Sequence, residues 1–181
     1  MQEDSKKTRF QPLKTDHLEI REFEKSDITD KYVGWLNDPD VVRYSELRHR
    51  RQTEEMCFEF FEASLRSVDI FLAITETSEG LGHIGNMIAY VDSANNVANL
   101  SILIGEKTAW GKGYGKEAWC AVVEALLYRE GFRKVEAGTM EVNRAMLGLM
   151  AAAGMKHDGT SKAQFALNGS EVDLVRSAIF K

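Results

Sequence analysis

At 181 residues the chain has the length of one ordinary domain, or at most two very small ones. Its 44% hydrophobic and 28% charged residues are those of a globular chain long enough to build a core without disulfides or metal. Twenty-three basic residues against 28 acidic ones leave a formal charge of −5, which gives neither the basic footprint of a nucleic-acid binder nor the cationic face of a membrane-surface helix.

Residues 1–12 read as a polar lead-in and 13–181 as a single domain. Residues 18–23 alternate apolar and charged side chains, which predicts a half-buried strand. Ser26-Asp27 reads as a cap opening a helix with Ile28, Tyr32, Trp35 and Leu36 on one face. Pro39 ends it, because the residue before a proline disfavours the helical conformation. Residues 41–52 form a charged loop crowded with Arg43, Arg48, Arg50 and Arg51. Thr53 caps a second helix, with Met56, Phe60 and Leu65 as its apolar anchors.

From Asp69 the period changes. Residues 70–75, 82–91 and 97–104 are short apolar runs separated by turn residues, and predict three antiparallel strands. After a glycine-rich stretch, helix spacing returns over 116–129 and closes at Gly131, a usual place for glycine after a helix. Residues 135–142 read as a strand and 144–153 as a helix ending at Gly154. The tail is strand, turn at Asn168-Gly169, strand, and that dipeptide is a strong hairpin signal. Antiparallel strands first, then one βαβ crossover, give an α+β class with a mixed, mostly antiparallel sheet of about seven strands flanked by about four helices.

Cys57 and Cys120 lie far apart in helix-like stretches, outside any CxxC or secreted framework, which points to a reducing compartment. Residues 1–10 lack the apolar region of a secretory signal, and no apolar run approaches a membrane span. The expected location is cytoplasmic, with no membrane or nucleic-acid partner. His17, His49, His83 and His157 have no i, i+4 partner and no cysteine at ligand spacing, so no metal is expected. His83, beside Gly82 in a strand, reads as a packed histidine.

The most informative stretch is Trp110-Gly111-Lys112-Gly113-Tyr114-Gly115-Lys116, between a strand and a helix. Taken alone, a tight glycine turn would account for it. Its glycines also let a ligand approach the main chain, and free N–H groups at the following helix start, with Lys112 and Lys116, favour a phosphate or pyrophosphate. It is not GxxxxGK[ST]. It is GxGxG and not GxGxxG, and although Glu136 lies near the distance of a ribose-binding acid, antiparallel strands upstream do not suit a dinucleotide fold.

The segment ANLSILIGEKTAWGKGYGKEA, residues 98–118, resembles the acetyl-CoA signature of the GNAT N-acetyltransferase superfamily. The branch it is most similar to contains the ribosomal-protein N-terminal alanine acetyltransferases. Trp110 stands where the family loop [QR]xxGx[GA] has Gln or Arg. Further similarities are Val142-Asn143-Arg144-Ala145 with Gly154-Met155, the ending Phe165 to Asp173, and WLNDPDVVRY upstream, so the likeness spans about residues 13–180. It implies a GNAT fold that moves an acetyl group from acetyl-CoA to a primary amine by direct attack in a ternary complex. The main chain of Ile102, Leu103 and Ile104 would hold the pantetheine arm. Lys112, Gly113, Tyr114, Gly115 and Lys116 would hold the pyrophosphate, with Asn143 also against the coenzyme.

Two family catalytic positions are filled by Asn99 and Met150, where relatives carry a glutamate and a tyrosine. Tyr44, Glu46 and His49 are then the catalytic candidates, and Arg43, Tyr44 and Arg48 the acceptor-binding ones, in a segment that the resemblance places near the acceptor. The arginines suggest an anionic acceptor. A protein N-terminus, an amino sugar and a small amine such as a polyamine stay open as acceptors, and a homodimer stays open as an assembly. The alternative reading is a catalytically silent acyl-CoA-binding module of the same fold. A nucleotide-binding regulatory domain using the same loop is a third.

Overall fold

The computed structural model describes residues 10–181; of the lead-in, residues 1–9 lie outside the described residues. Phe10 is buried under the Arg129 guanidinium, 4.5 Å from its ring centre, so packing starts before the first strand. Eight strands form one sheet: β1 (Leu13–Lys14), β2 (Leu18–Glu22), β3 (Ile70–Glu76), β4 (Gly82–Asp92), β5 (Val97–Ile104), β6 (Lys134–Met140), β7 (Lys156–Leu167) and β8 (Ser170–Phe180). Their order is β1-β2-β3-β4-β5-β6-β8-β7, antiparallel throughout except for the β5–β6 pair. The α+β class stands, with a strand more than expected because two-residue β1 adds an edge.

Four helices cover the two faces: α1 (Asp30–Leu36), α2 (Glu54–Arg66), α3 (Tyr114–Glu124) and α4 (Arg144–Ala152). Alternation along the strands sorts the side chains between them. Leu18, Ile20, Leu72, Ile74, Met87, Leu100 and Val135 point to one face and pack with Trp119, Val122 and Leu126 beneath α3. Phe71, Ala73, Ile88 and Leu103 point to the other and pack with Phe23, Tyr32, Trp35, Cys57 and Phe61 beneath α1 and α2.

Several local expectations shift. Asp27 does not cap α1: its carboxylate takes both Arg21 guanidinium nitrogens, at 2.7 and 2.8 Å, inside a 3-10 turn. Thr29 caps α1 instead, accepting from the Tyr32 N–H. On α2 the buried face is Cys57, Phe61 and Ser64, one residue round from the expected anchors. The adjacent Phe60 and Phe61 made both registers plausible apolar stripes. Phe61 wins because it packs beside Phe23, while Phe60, 42% exposed, only meets Phe71 edge-on. Helix α3 begins at Tyr114 and passes through a π turn at Ala125–Arg129 before Gly131, at φ 82°, closes it. Strand β6 stops at Met140, two residues before its expected end.

One glycine fixes how α1 meets the sheet. At Gly105, just after β5, a Cβ would lie 2.1 Å from the Trp35 ring. The ring rests on bare backbone, and Lys31 of the same helix reaches Glu106 at 2.8 Å. Overpacking of this kind costs about 1–3 kcal/mol, so Gly105→Ala should lower stability to urea by that order; an unchanged midpoint and slope would show that Trp35 is not seated there.

Candidate active site

The site begins where two strands part. Strands β5 and β6 run parallel and pair only at Val97–Lys134, Ala98–Val135 and Asn99–Glu136. Beyond that rung β5 continues five residues beside β4, and β6 continues to Met140 beside β8. The two therefore diverge, and the facing edge of β5 carries main-chain groups without a strand partner. Gly105 donates to the Ile84 carbonyl at 3.0 Å. By the antiparallel alternation Leu103 and Ser101 turn their main chain to β4, while Ile102 and Ile104 turn theirs to the gap. Of the three strand residues expected to hold the pantetheine arm, Ile102 and Ile104 offer main-chain groups there and Leu103 offers its side chain to the α1–α2 face.

At the mouth of the gap lies the glycine loop. Gly111 and Gly113 have φ of 76° and 89°, a region that L side chains rarely adopt, and a Cβ at either would meet no protein atom within 4 Å. Glycine is demanded here by backbone conformation, and the space beside it is open. Thr29, Thr53 and Asn143 cap α1, α2 and α4 with their side chains, but Gly113 has none to offer α3. The first helical bond of α3 is Glu117 N–H to Gly113 carbonyl, which leaves the N–H groups of Tyr114, Gly115 and Lys116 without intrahelical acceptors. These donors and the helix dipole fit an anion. Trp110 supplies no such charge. Its indole N–H donates to the Ile104 carbonyl at 2.9 Å and so pins the loop to the end of β5.

Neighbouring loops hold this region in shape. Lys112 pairs with Glu79 on the β3–β4 turn. That turn is organised by Glu76, only 1% exposed, which accepts from the N–H groups of Glu79 and Leu81 at 2.7 and 2.9 Å and from Ser78. Burial works against its ionisation, but the Ser78 hydroxyl and these main-chain donors outweigh it and hold its pKa at about 2. Glu117, one turn into α3, accepts from the His17 N–H and Nδ1, both at 2.9 Å, and from Thr15, which fixes the helix start against the β1–β2 turn. Asn143 caps α4 and donates to the Thr139 hydroxyl at 2.9 Å, tying that helix to β6 beside the gap.

On the α1–α2 face the parting strands present Tyr90, Asn99 and Glu136 in one lateral row, followed by Ser101 on β5 and Gly138 on β6. Asn86, further along β4, has a buried Oδ1 with no hydrogen-bond partner. The polar segment after α1 folds as a 3-10 turn at Glu46–His49. Arg48 there is committed: it reaches Glu46 at 2.7 Å, the Ser45 carbonyl at 2.8 Å and the Ala166 carbonyl of β7 at 3.3 Å, strapping the segment to the last hairpin. Glu46 also lies 3.4 Å from His49. Arg43 is exposed, stacked 5.2 Å from the Tyr44 ring centre. Met150 is buried in the core and His83 is enclosed by Phe23, Tyr32 and Trp35, its Nε2 2.9 Å from the Gly85 carbonyl. Burial pushes the His83 pKa down, keeping it a neutral packed ring. Among the described residues no group of three or more His, Cys, Asp or Glu could hold a metal ion, and no helix is long and apolar enough to cross a membrane.

The family model for the acetyltransferase (GNAT) domain matches residues 17–156. The chain belongs to the GNAT acetyltransferase family. Solved structures share the fold. A GNAT-family acetyltransferase from Bacillus anthracis superposes with a TM-score of 0.78 at 19% identity, covering 94% of this chain and 98% of that one. Spermidine N-acetyltransferase from Vibrio cholerae, in complex with CoA and spermine, gives 0.80 at 16%, covering 92% and 96%. Ribosomal-protein-S5-alanine acetyltransferase from Vibrio fischeri gives 0.72 at 16%, covering 94% and 97%. No curated protein matches the chain in sequence.

The loop, its strand and Asn143 stood out in the sequence and lie around the parting, whereas the Asn99–Glu136 rung did not stand out. The signal for it was the polar alternation Lys134, Glu136 on a strand whose intervening residues are apolar. The Glu76 turn yields a test by pH. Its pKa in the folded protein lies well below the ordinary 4.5, so its contribution to stability is complete above that ordinary value and is lost as pH falls toward 2. Thermal unfolding of Glu76→Gln should start lower than the unaltered protein at neutral pH and decline less between pH 5 and pH 2. Parallel declines would show that the turn does not depend on this carboxylate.

Proposed function

We propose that this GNAT acetyltransferase takes acetyl-CoA as cosubstrate, places its pantetheine arm along the open edge of β5, and transfers the acetyl group directly to a primary amine approaching from the α1–α2 face. The observation that carries the reading is the parting of β5 from β6 with the uncapped start of α3 at its mouth. The main-chain groups of Ile102 and the Ile104 N–H, the Ile104 carbonyl being held by Trp110, meet an amide-bearing arm as a neighbouring strand would. The N–H groups of Tyr114, Gly115 and Lys116, with Lys116 and, once released from Glu79, Lys112, hold the pyrophosphate. The thiolate of CoA is a good leaving group, so positioning supplies much of the rate and proton removal from the amine is the remaining demand.

The acceptor is a primary amine that reaches the α1–α2 face. Tyr44 and the exposed Arg43 lie on the segment strapped down by Arg48, and Arg43 is the cation there that suits an acceptor bearing an acidic group. Arg43→Glu should then raise the acceptor KM several-fold with kcat for saturating amine little changed; an unaltered KM would remove Arg43 from acceptor binding.

The cosubstrate is tested at the loop. Gly113→Glu places a carboxylate among the anion donors and forces a side chain into a left-handed backbone. Its affinity for CoA by calorimetry should fall by about 100-fold or more while circular dichroism shows the fold retained. Binding at the unaltered strength would contradict the site. Release of free thiol from acetyl-CoA on adding amine separates transfer from a silent binding module, which would bind CoA and release none.

A further inference from the structure

We propose that Glu136 is the base that takes the proton from the acceptor amine, held in place by Asn99 and Lys134. The proposal rests on the acetyl-transfer reading above and assigns the one role that reading leaves open.

The register places Glu136 opposite Asn99 in the last pair before β5 and β6 part. An arm anchored at the glycine loop and running back along β5 points toward this rung, since the open edge from Leu100 to Ile104 is about 17 Å of extended chain. At the rung the side chains of Asn99 and Glu136 share the α1–α2 face, where the amine arrives. The Glu136 carboxylate is partly exposed, at 27%, and so accessible to an amine or to one intervening water. Beyond it the same face of β6 carries Gly138, on which Leu174 and Arg176 of β8 close in, a Cβ there lying 3.1 Å from the Leu174 side chain, and Ser101 is the matching residue on β5.

The two carboxylate oxygens are differently engaged. Oε2 lies 2.7 Å from the Lys134 ammonium, which also binds Asp158 of β7 at 2.7 Å. Oε1 has only the Asn99 Nδ2 donor, at a long 3.4 Å. One oxygen is thus anchored, and the other keeps its lone pairs for a proton donor. The groups that face this carboxylate are Lys134 on its own strand, Asp158 and, in the same lateral row, Lys156 on β7, Arg176 two residues along β8 from its partner Ala178, and the uncharged Asn99 and Tyr90 on β5 and β4. Glu46 is held in a similar way, with Oε1 2.7 Å from Arg48 and Oε2 3.4 Å from His49.

An alkylammonium passes one proton to Glu136 Oε1, directly or through a water, and the freed nitrogen lone pair forms the C–N bond at the thioester carbonyl. The C–S bond breaks as the tetrahedral oxyanion collapses, and the nitrogen's second proton ends on the departing thiolate. Glu136 then returns its proton to solvent, so that ammonium and thioester become amide, thiol and one proton. Asn99 and Lys134 are positioning residues.

The test follows thiol release with acetyl-CoA and three amines: spermidine, glucosamine 6-phosphate and an alanine-initiated hexapeptide. With whichever amine the unaltered protein turns over, Glu136→Gln should lower kcat by about 100-fold to 10,000-fold, the range of a lost general base, with CoA affinity and thermal midpoint retained. Its residual rate should climb tenfold per pH unit until the amine deprotonates in solution, near pH ~10.4 for a lysine-like amine. Glu136→Asp should recover part of the rate and the flatter profile. If Glu136 merely anchored Lys134, Lys134→Met would reproduce the loss and Glu136→Gln would keep the unaltered pH profile, and that result overturns the assignment. An unchanged kcat in Glu136→Gln overturns it alone, whereas no thiol release by the unaltered protein with any of the three amines overturns the transferase reading as well.

Discussion

The structure depends on a sheet that comes apart in its middle. Two parallel strands, β5 and β6, share three residue pairs and then separate, because each is held on its far side by a long antiparallel partner. A buried main-chain donor or acceptor left unpaired costs about 1–3 kcal/mol, so the exposed edge of β5 persists only where water or a ligand reaches it. An extended chain of amides answers that edge as a strand would. Helix α3, which connects the two strands, must begin at the mouth of the gap, and connectivity alone puts its uncapped N–H groups there.

The rest of the molecule holds this parting in register from both sides. On one face Glu117 ties the first turn of α3 to the β1–β2 turn, and Glu76 shapes the turn that carries Glu79 to Lys112. On the other, Trp35 rests on Gly105, Lys31 reaches Glu106, and Lys107 binds Asp38 and Asp40 at 2.8 and 2.7 Å. Helix α1 is therefore moored to the same few residues that lead from β5 into the glycine loop. Such exposed ion pairs contribute little stability individually; their effect is to fix the geometry between α1 and the glycine loop.

Much of this was legible in the sequence where the cause is local. Asn168 and Gly169 take φ of 52° and 81°, as an Asn-Gly hairpin requires, and Gly131 and Gly154 close helices with positive φ as glycines at such ends do. Trp110 to Lys116 could be read as an anion loop because glycine spacing is itself a backbone constraint. Helix starts and faces were less secure. Asp27 looked like a cap but is drawn to Arg21, and Phe60 and Phe61 gave two acceptable stripes that only Phe23 decides. The parting of the strands was out of reach, because register between residues 37 positions apart is a tertiary fact. For the same reason Glu136 stood in the sequence as one acid on a strand, and Asn99 as a position without its glutamate. In the fold they are neighbours.

The central claim is that the open edge of β5 takes the coenzyme as a strand would. Backbone hydrogen exchange with and without saturating CoA tests it residue by residue. The structure predicts slowed exchange at Ile102 and Ile104 together with Tyr114, Gly115 and Lys116, and little change at Leu103, whose amide is already paired with β4. Protection confined to the loop, with Ile102 and Ile104 exchanging as fast as before, would contradict it.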